Sequence, residues 1–421
     1  MNVGERIRQL RIHKKLTQGE LVKDISSITY LSRIENGQIK PSYSFLKKIS
    51  KRLTIPLDDL AEQNTVDAEK RISTIFDDFK RDSQLSEEEL SFLSMNTKES
   101  HPPHILIQLY GILIRYFVHK DINQAETLYT LSSRVIPNND DNTDIDTDYY
   151  LFYYISCGIY YYKKQLYDRS DHYFTKAERI MDHKDTLENG KLYYNISLVK
   201  QRLMEDKTLG LYYSKNAYDI FEKYGETRMM AMVLITQGVQ YHLMKEYDQS
   251  LTCLNHAMNL VEDTNESLLA MIEYNKGRVY QGLHKFEEAI DSYQKSININ
   301  EKLNIIEEQI YSLRSLAEVF IEKKHWDEVE KSLVKAFDIA EEYEMNYMYI
   351  ELGWMRAYTY KVRGDDFTYE KDMRKFIENG VKLNQQVLVK KMAKELGNYF
   401  YEIRAYKKAA DHMKLAMDME G

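Results

Sequence analysis

Two neighbouring stretches, GVQYHLMKEYDQSLTCLNHA (residues 238–257) and GRVYQGLHKFEEAIDSYQKS (residues 277–296), repeat one pattern of residue types at a distance of 39 residues. In each, a glycine is followed by an aromatic residue three places on. An aromatic, a small, a large and a small residue follow at fixed offsets. Weaker copies centre on Leu113, Leu198 and Ala357, and residues 65–98 have room for another. Three further clear copies are Gly158, Tyr161, Tyr167, Ser170, Phe174, Ala177; Ala317, Phe320, Trp326, Val329, Leu333, Ala336; and Gly397, Phe400, Tyr406, Ala409, Met413, Ala416.

This spacing is typical of tetratricopeptide hairpins, in which small residues let two helices approach and aromatic residues fill the gap to the next hairpin. A few added residues in each helix account for the longer period. Glycine (16) and proline (5) are scarce, which favours long helices over sheets. We therefore predict an all-α chain in which residues 71–421 form a right-handed tetratricopeptide-repeat solenoid of about nine hairpins.

The first 53 residues differ from the rest in charge. They hold twelve Lys and Arg residues against four acidic ones, although the whole chain has a formal net charge of −8. A basic head on an acidic body is expected if only the head approaches phosphates, because the body would be repelled from a duplex.

Apolar spacing in this head predicts four short helices. Thr17 can cap the second helix, which begins at Gln18. In the third, ITYLSRIENG (residues 28–37), we expect Ile28, Leu31 and Ile34 to face inward. The three-residue break between the second and third helices gives the geometry that puts the third helix in the major groove.

The motifs RIRQLR, LTQGEL, LSRIENG and PS followed by LKKIS resemble the helix-turn-helix of the phage-repressor (Xre/Cro) superfamily over residues 1–60. The resemblance implies phosphate contacts from Thr17, Gln18 and Ser32, and base contacts from Ser27, Thr29, Tyr30 and Arg33. An arginine would most naturally address guanine. Each contact has a structural alternative: Ser27 capping the helix, Tyr30 packing on a neighbour, and Arg33 pairing with Glu35.

Two further segments differ from these regular parts. Residues 61–70 form the predicted linker, which lacks Gly and Pro and favours helix, so it could transmit geometry. The insertion NNDDNTDIDTD (residues 138–148) is expected to be a solvated loop, with an acidic calcium site as the alternative.

In a tetratricopeptide solenoid the first helix of each hairpin lines a concave surface. Side-chain amides there can hold an extended peptide backbone, and arginines suit its carboxylates. The alternative is a solvated inner face whose polar residues pair with each other. Offsets from the small anchor residues place these side chains inward: Asn195, Arg202, Gln237, His242, Asn275, Arg278, Gln281, Tyr311, Arg314 and Glu318.

Together the two halves resemble the Rap/Npr/PlcR (RRNPP) group of Gram-positive quorum sensors over the whole chain, and most of all its branch of neutral-protease regulators. The resemblance implies a cytoplasmic homodimer, or a tetramer with peptide, that binds an imported secreted heptapeptide. Peptide binding would rearrange the assembly on its DNA operator and activate exoprotease genes. The resemblance also implies that the peptide-free form binds a sporulation response regulator.

Other classes have less support. Cys157 and Cys253 lie far apart, and His101 and His104 in HPPH match no metal or nucleophile spacing. We therefore expect no enzyme, cofactor or metal site. No stretch reads as a signal peptide or membrane span. A plain tetratricopeptide adaptor is the remaining alternative.

Overall fold

A computed structural model describes residues 3–54, 57, 66–137, 147–182, 185–261 and 265–419. Within these ranges the secondary structure is helical and contains no strand, so the all-α prediction is confirmed. None of the helices described combines the length and apolar character that crossing a bilayer requires. By its internal contacts the chain divides into two compact units, Met1–Ile220 and Phe221–Gly421.

The head consists of four helices around a small apolar core. Side chains of Thr17, Ser27 and Ser42 each accept a backbone hydrogen bond at the start of a helix, as N-caps do. The helices are α1 (Val3–His13), α2 (Gln18–Val22), α3 (Ile28–Glu35) and α4 (Tyr43–Leu53). The buried core residues are Ile7, Leu10, Leu21, Val22, Leu31, Ile34, Phe45, Ile49 and Leu53.

The inward orientation predicted for Ile28 is wrong, because this side chain is 54% exposed. Successive residues of an α-helix turn by about 100°, so Ile28 points roughly 120° away from Ile34. The buried face of α3 is instead made by Leu31, Ile34 and Glu35. Ile28 consequently lies on the outer surface of the head.

Eight helices follow the head, and the boundary between the two units falls within the last of them. Residues 61–65 of the predicted linker lie outside the described residues, whereas residues 66–70 begin the next helix. Residues 138–146, where the calcium alternative falls, are also outside the described residues. The helices are α5 (Val66–Asp82), α6 (Glu87–Asn96), α7 (Pro103–Phe117), α8 (Ile122–Val135), α9 (Thr147–Lys163), α10 (Tyr167–Ile180), α11 (Leu187–Leu203) and α12 (Thr208–Tyr224).

The second unit continues the same alternation of helix and short turn. With α5–α12, the described helices after the head form nine successive pairs. The helices are α13 (Thr227–Leu243), α14 (Tyr247–Val261), α15 (Glu266–Gly282), α16 (Phe286–Leu303), α17 (Ile306–Glu322), α18 (Trp326–Glu342), α19 (Asn346–Arg363), α20 (Asp366–Lys382), α21 (Gln386–Glu402) and α22 (Tyr406–Asp418).

Close helix approach within a pair explains the repeated small residues. A Cβ atom added to Gly158 would lie 2.4 Å from the Phe174 ring, and one added to Gly277 would lie 2.7 Å from the Tyr293 ring. The serine of the pattern stabilises the same helix–helix contact, because the Ser170 hydroxyl donates to the Gly158 carbonyl at 2.8 Å. The pattern read from the sequence thus specifies how the two helices of a hairpin pack.

Candidate functional site

The outer face of α3 is open to solvent. Ser27, Thr29 and Arg33 are exposed, and Ser32 is half-buried. The Ser27 hydroxyl accepts a hydrogen bond from the Tyr30 amide at 3.2 Å, and the Tyr30 ring meets Phe45 edge-on at 5.2 Å. Ser27 and Tyr30 therefore have the capping and packing contacts that the sequence left open. Arg33 keeps its guanidinium on the accessible side of the helix.

A buried ion pair beneath α3 holds the first three helices together. The Arg11 guanidinium donates to both oxygens of Glu35, at 2.7 Å and 2.9 Å, and Gln18 Nε2 donates to Glu35 Oε2 at 2.7 Å. The Glu35 side chain is only 2% exposed. The predicted alternative of an Arg33–Glu35 pair is wrong, because Arg11 and Gln18 already occupy this carboxylate. Gln18 is thereby fixed at the start of α2, beside the capping residue Thr17.

The beginnings of α3 and α4 face one shallow cavity of about 390 Å³. Ser27 and Ser42 cap the two helices, and Ser26, Ser44 and Lys48 complete its polar lining. Helix N-termini and a nearby ammonium both favour negative charge. This edge of the head is therefore suited to a phosphate of a DNA backbone.

The head is attached to the first repeats by a polar contact centred on Gln9, called here the Gln9 contact. Gln9 Nε2 donates to the His101 carbonyl at 2.9 Å, and Gln9 Oε1 accepts from the His101 amide at 3.0 Å and the Ser100 hydroxyl at 3.2 Å. Gln9 is 5% exposed and His101 is 1% exposed. Helix α1 also packs against α8. Because a buried amide requires its partners, this contact fixes the head on the first repeats.

Neutral histidines surround the Gln9 contact. Burial, assisted by the neighbouring His101, lowers the pKa of His13 to about 4. Burial also lowers the pKa of His101, with Glu69 acting in the opposite direction. Both imidazoles are therefore uncharged at neutral pH.

We predict that acid loosens the head. Unfolded histidine has a pKa near 6.5, whereas folded His13 titrates at about 4, so the unfolded state binds more protons between these values. Stability should be complete above pH 6.5 and fall as the pH drops, by about 1–2 kcal/mol at pH 5. Hydrogen exchange of α1 amides at pH 7 and pH 5 measures this loss after correction for intrinsic exchange. The prediction fails if His13→Gln leaves the pH dependence unchanged.

The second unit contains a cavity of about 450 Å³, called here the repeat pocket. It is formed by four first helices of successive hairpins, α15, α17, α19 and α21. Its lining residues are Gln281, Arg314, Glu318, Ile321, Glu322, Glu351, Trp354, Met355, Tyr358 and Glu395. Three of the ten predicted inward residues, Gln281, Arg314 and Glu318, therefore meet in one place.

Polar side chains of the repeat pocket are already paired with each other. Arg314 Nη1 donates to Glu351 Oε1 at 2.7 Å, and Arg314 Nε lies 3.4 Å from Glu318 Oε1. Gln281 Nε2 donates to Glu322 Oε1 at 2.6 Å. This internal pairing is the arrangement that the sequence left open as the alternative. It orients the side chains and leaves the pocket itself open.

The remaining predicted inward residues lie outside the repeat pocket. Burial, with Arg278 nearby, lowers the pKa of His242 to about 4. The Gln237 side chain is buried and accepts a weak hydrogen bond from the Cys253 thiol at 3.9 Å. Asn275 donates to the Met271 carbonyl, and Tyr311 donates to Glu307. Asn195 and Arg202 belong to α11 in the first unit.

Several pocket residues were missed by the sequence reasoning, although a signal was present. Arg314 and Glu318 stand three places before and one place after their anchor Ala317. The same offsets from Ala357 give Trp354 and Tyr358, both of which line the pocket. That copy is degenerate in its small and aromatic positions, which hides the correspondence. Glu395 stands two places before Gly397, the same offset at which the predicted residue Asn275 stands before Gly277.

Metal binding and thiol chemistry have little support in the described ranges. No group of three or more His, Cys, Asp or Glu side chains there has the geometry to hold a metal ion. Burial raises the pKa of the Cys157 thiol to about 12, so this thiol is not a nucleophile at neutral pH.

Comparisons with known proteins agree with the two-part architecture. A family model described as a helix-turn-helix domain matches residues 4–66, and one described as a tetratricopeptide repeat matches residues 229–302. The chain is thus a helix-turn-helix protein with a tetratricopeptide-repeat body. It is 28% identical over 322 residues to the transcriptional activator NprA of Geobacillus stearothermophilus, covering 73% of this chain and 76% of that protein.

Solved structures extend the comparison to the fold. The apo form of the quorum sensor NprR from B. thuringiensis matches with a TM-score of 0.61 and 19% identity, covering 84% of this chain and 100% of that one. NprR in complex with its cognate peptide NprX matches with a TM-score of 0.56 and 19% identity, covering 85% and 99%. These matches confirm the predicted fold.

Proposed function

We propose that this protein is a cytoplasmic, non-catalytic transcription regulator that binds a signalling oligopeptide in its repeat domain and thereby changes its binding to DNA. The observation that carries the proposal is the presence, on one chain, of an exposed helix-turn-helix surface and a pocket built from four first helices of the repeats. Its similarity to a transcriptional activator and its likeness in fold to a quorum sensor solved with its peptide support the same assignment.

DNA binding is assigned to the outer face of the head. Ser27, Thr29, Tyr30 and Arg33 on and before α3 would meet base edges, while Thr17, Gln18 and Ser32 would meet phosphates. The Arg11–Glu35 pair keeps α2 and α3 at a fixed angle beneath these residues. Because the rest of the chain is acidic, the head is the part that approaches the duplex.

Peptide binding is assigned to the polar inner positions of the repeats, with the repeat pocket as its principal cavity. A volume of about 450 Å³ is in the range of known ligand pockets and takes a few residues of an extended peptide. Gln281 offers an amide that can be redirected to a peptide backbone, because amides both donate and accept. The other proposed positions are Asn195, Arg202, Gln237, His242, Asn275, Arg278, Tyr311, Arg314 and Glu318.

The Gln9 contact gives the head a mechanical connection to the repeats. Since the head is held by hydrogen bonds to Ser100 and His101, movement of this part of the first unit carries α3 with it. In a dimer, a change of curvature or of self-association would alter the spacing of two heads. Half-sites on DNA lie about one helical turn or a multiple of it apart, so this spacing acts as a switch.

The proposed function is tested by operator binding with and without peptide. The operator is selected from random duplex DNA with the full chain, and the peptide is the C-terminal segment of any short secreted product encoded immediately downstream. We expect operator affinity to change by at least about fivefold, the lower range of allosteric coupling, or the oligomeric state to change. Unchanged affinity together with an unchanged oligomeric state overturns the proposal.

The same measurement on Gln9→Leu tests the connection. Leucine keeps the volume but removes the side-chain oxygen that accepts from the His101 amide and the Ser100 hydroxyl. We expect DNA binding to persist and the response to peptide to be lost, while the His101 amide exchanges faster with solvent. Gln38→Leu, at an exposed glutamine of the same head, is the matched control. A full peptide response in Gln9→Leu contradicts the connection.

A further inference from the structure

The repeat pocket is strongly acidic. Glu318, Glu322, Glu351 and Glu395 line it, and Arg314 is the single basic residue of the lining in the described chain. Arg314 is engaged by Glu351 and Glu318, so it offers little to a ligand carboxylate. The lining therefore carries an excess of negative charge that no side chain of the pocket balances.

Individual groups of the pocket retain capacity to accept hydrogen bonds. Glu351 Oε2 is inaccessible to solvent and has no hydrogen-bond partner among the described residues. Burial raises the pKa of Glu318, with Arg314 and Arg278 opposing it, so an additional cation beside this carboxylate would favour its ionised form. An ammonium group brings three donors and no acceptor, which matches a site with surplus acceptors.

The walls of the pocket suit the stem of a long cationic side chain. Ile321 and Met355 supply apolar surface, along which a lysine or arginine stem can lie. Trp354 is held in orientation because its indole Nε1 donates to Glu395 Oε2 at 2.7 Å. Tyr358 is 46% exposed beside it. Indole and phenol rings attract cations through their faces.

We propose that the repeat pocket is a cation-selective subsite, which seats a positively charged group of the peptide, either a lysine or arginine side chain or a free amino terminus, among Glu318, Glu322 and Glu351 and beside Trp354. The inference rests on the proposed function, since it names the chemistry of the same ligand. It reverses the polarity expected from the sequence, in which arginines were assigned to peptide carboxylates.

The experiment uses the full chain and positional sets of heptapeptides amidated at the C-terminus. At each position in turn the residue is Lys, norleucine or Glu, while the other positions hold equimolar mixtures of residues. Norleucine keeps the stem of lysine without its charge. One arm is acetylated at the N-terminus and the other has a free amino group, which separates a side-chain ammonium from a terminal one.

Binding is measured by equilibrium titration and located by fluorescence. The chain has two tryptophans, so Trp326→Phe leaves Trp354 in the pocket as the reporter. We expect Lys at one position to bind at least about tenfold more tightly than norleucine, or the free amino arm to bind at least about tenfold more tightly than the acetylated arm. Binding of the preferred peptides should change the fluorescence of Trp354.

The variants Glu318→Gln and Glu322→Gln should reduce this preference severalfold while the protein stays folded. Glu330→Gln removes the same charge from an exposed position outside the pocket and should leave the preference unchanged. If peptides bind but norleucine and Glu equal Lys at every position in both arms, the inference is overturned and the peptide receptor stands. If no set binds, the peptide receptor fails and the inference fails with it.

Discussion

Replacing Arg11 by alanine is expected to destabilise the head by about 3–5 kcal/mol and to weaken sequence-specific DNA binding strongly. The substitution leaves Glu35, whose side chain is 2% exposed, with Gln18 as its remaining side-chain donor and no countercharge. Removing one partner of a buried ion pair costs about 3–5 kcal/mol. Small domains have a total stability of only about 5–15 kcal/mol. Loss of the ion pair therefore removes much of the free energy of unfolding of the head.

Hydrogen exchange of the α3 amides and operator affinity measure this effect together. We expect loss of protection in α3 and a fall in specific affinity toward the non-specific level, while the second unit keeps its protection. Arg8→Ala is the control, because Arg8 stands exposed on the same helix and its loss removes the same charge. Arg11→Ala with protection equal to Arg8→Ala would show that the buried pair contributes little.

Replacing Gly158 by valine is expected to destabilise the first unit by about 3 kcal/mol, the upper part of the usual range for overpacking. Three ring carbons of Phe174 lie within 2.8 Å of the position that the first side-chain carbon would take. Phe174 is itself 1% exposed and cannot swing into solvent. Either the helices α9 and α10 must separate or the ring must leave its packing.

Urea unfolding followed by circular dichroism measures this loss. Gly19→Val is the control, because the nearest atom to an added Cβ there is 3.5 Å away, an ordinary contact. The double variant Gly158→Val with Phe174→Ala should lose less stability than the sum of the losses of the two single variants, since the smaller residue makes room for valine. Purely additive losses in the double variant would contradict a direct clash between these residues.

The fold followed from the sequence because its determinants are local. The repeated glycine, aromatic and serine positions specify how the two helices of one pair pack, and those helices are neighbours along the chain. Thr17, Ser27 and Ser42 likewise mark helix starts through hydrogen bonds that reach only three residues. The one orientation that failed, that of Ile28, came from treating residues six apart as one face.

The candidate site could be predicted from the sequence only in part, because its hydrogen bonds and ion pairs connect residues that are distant in the sequence. Gln281, Arg314 and Glu318 were found from their repeat offsets, and Trp354 and Glu395 stand at offsets that other copies share. That these five residues line one pocket depends on the stacking of four successive hairpins. The net charge of the pocket was also hidden, since an arginine counts as available until its carboxylate partners are known.

What the sequence by itself determined is the class of molecule: a basic helix-turn-helix followed by helical hairpins of fixed period. These features depend on residue spacing within single helices and on contacts between neighbours in the chain. What only the tertiary structure decided is which polar groups are satisfied and which remain for a ligand. The Gln9 contact joins residues that are 91 and 92 positions apart in the sequence. Arg314 and Glu351 are 37 positions apart. Both contacts depend on how separate helices approach in space. Burial makes such pairings energetically decisive, and no local pattern encodes them.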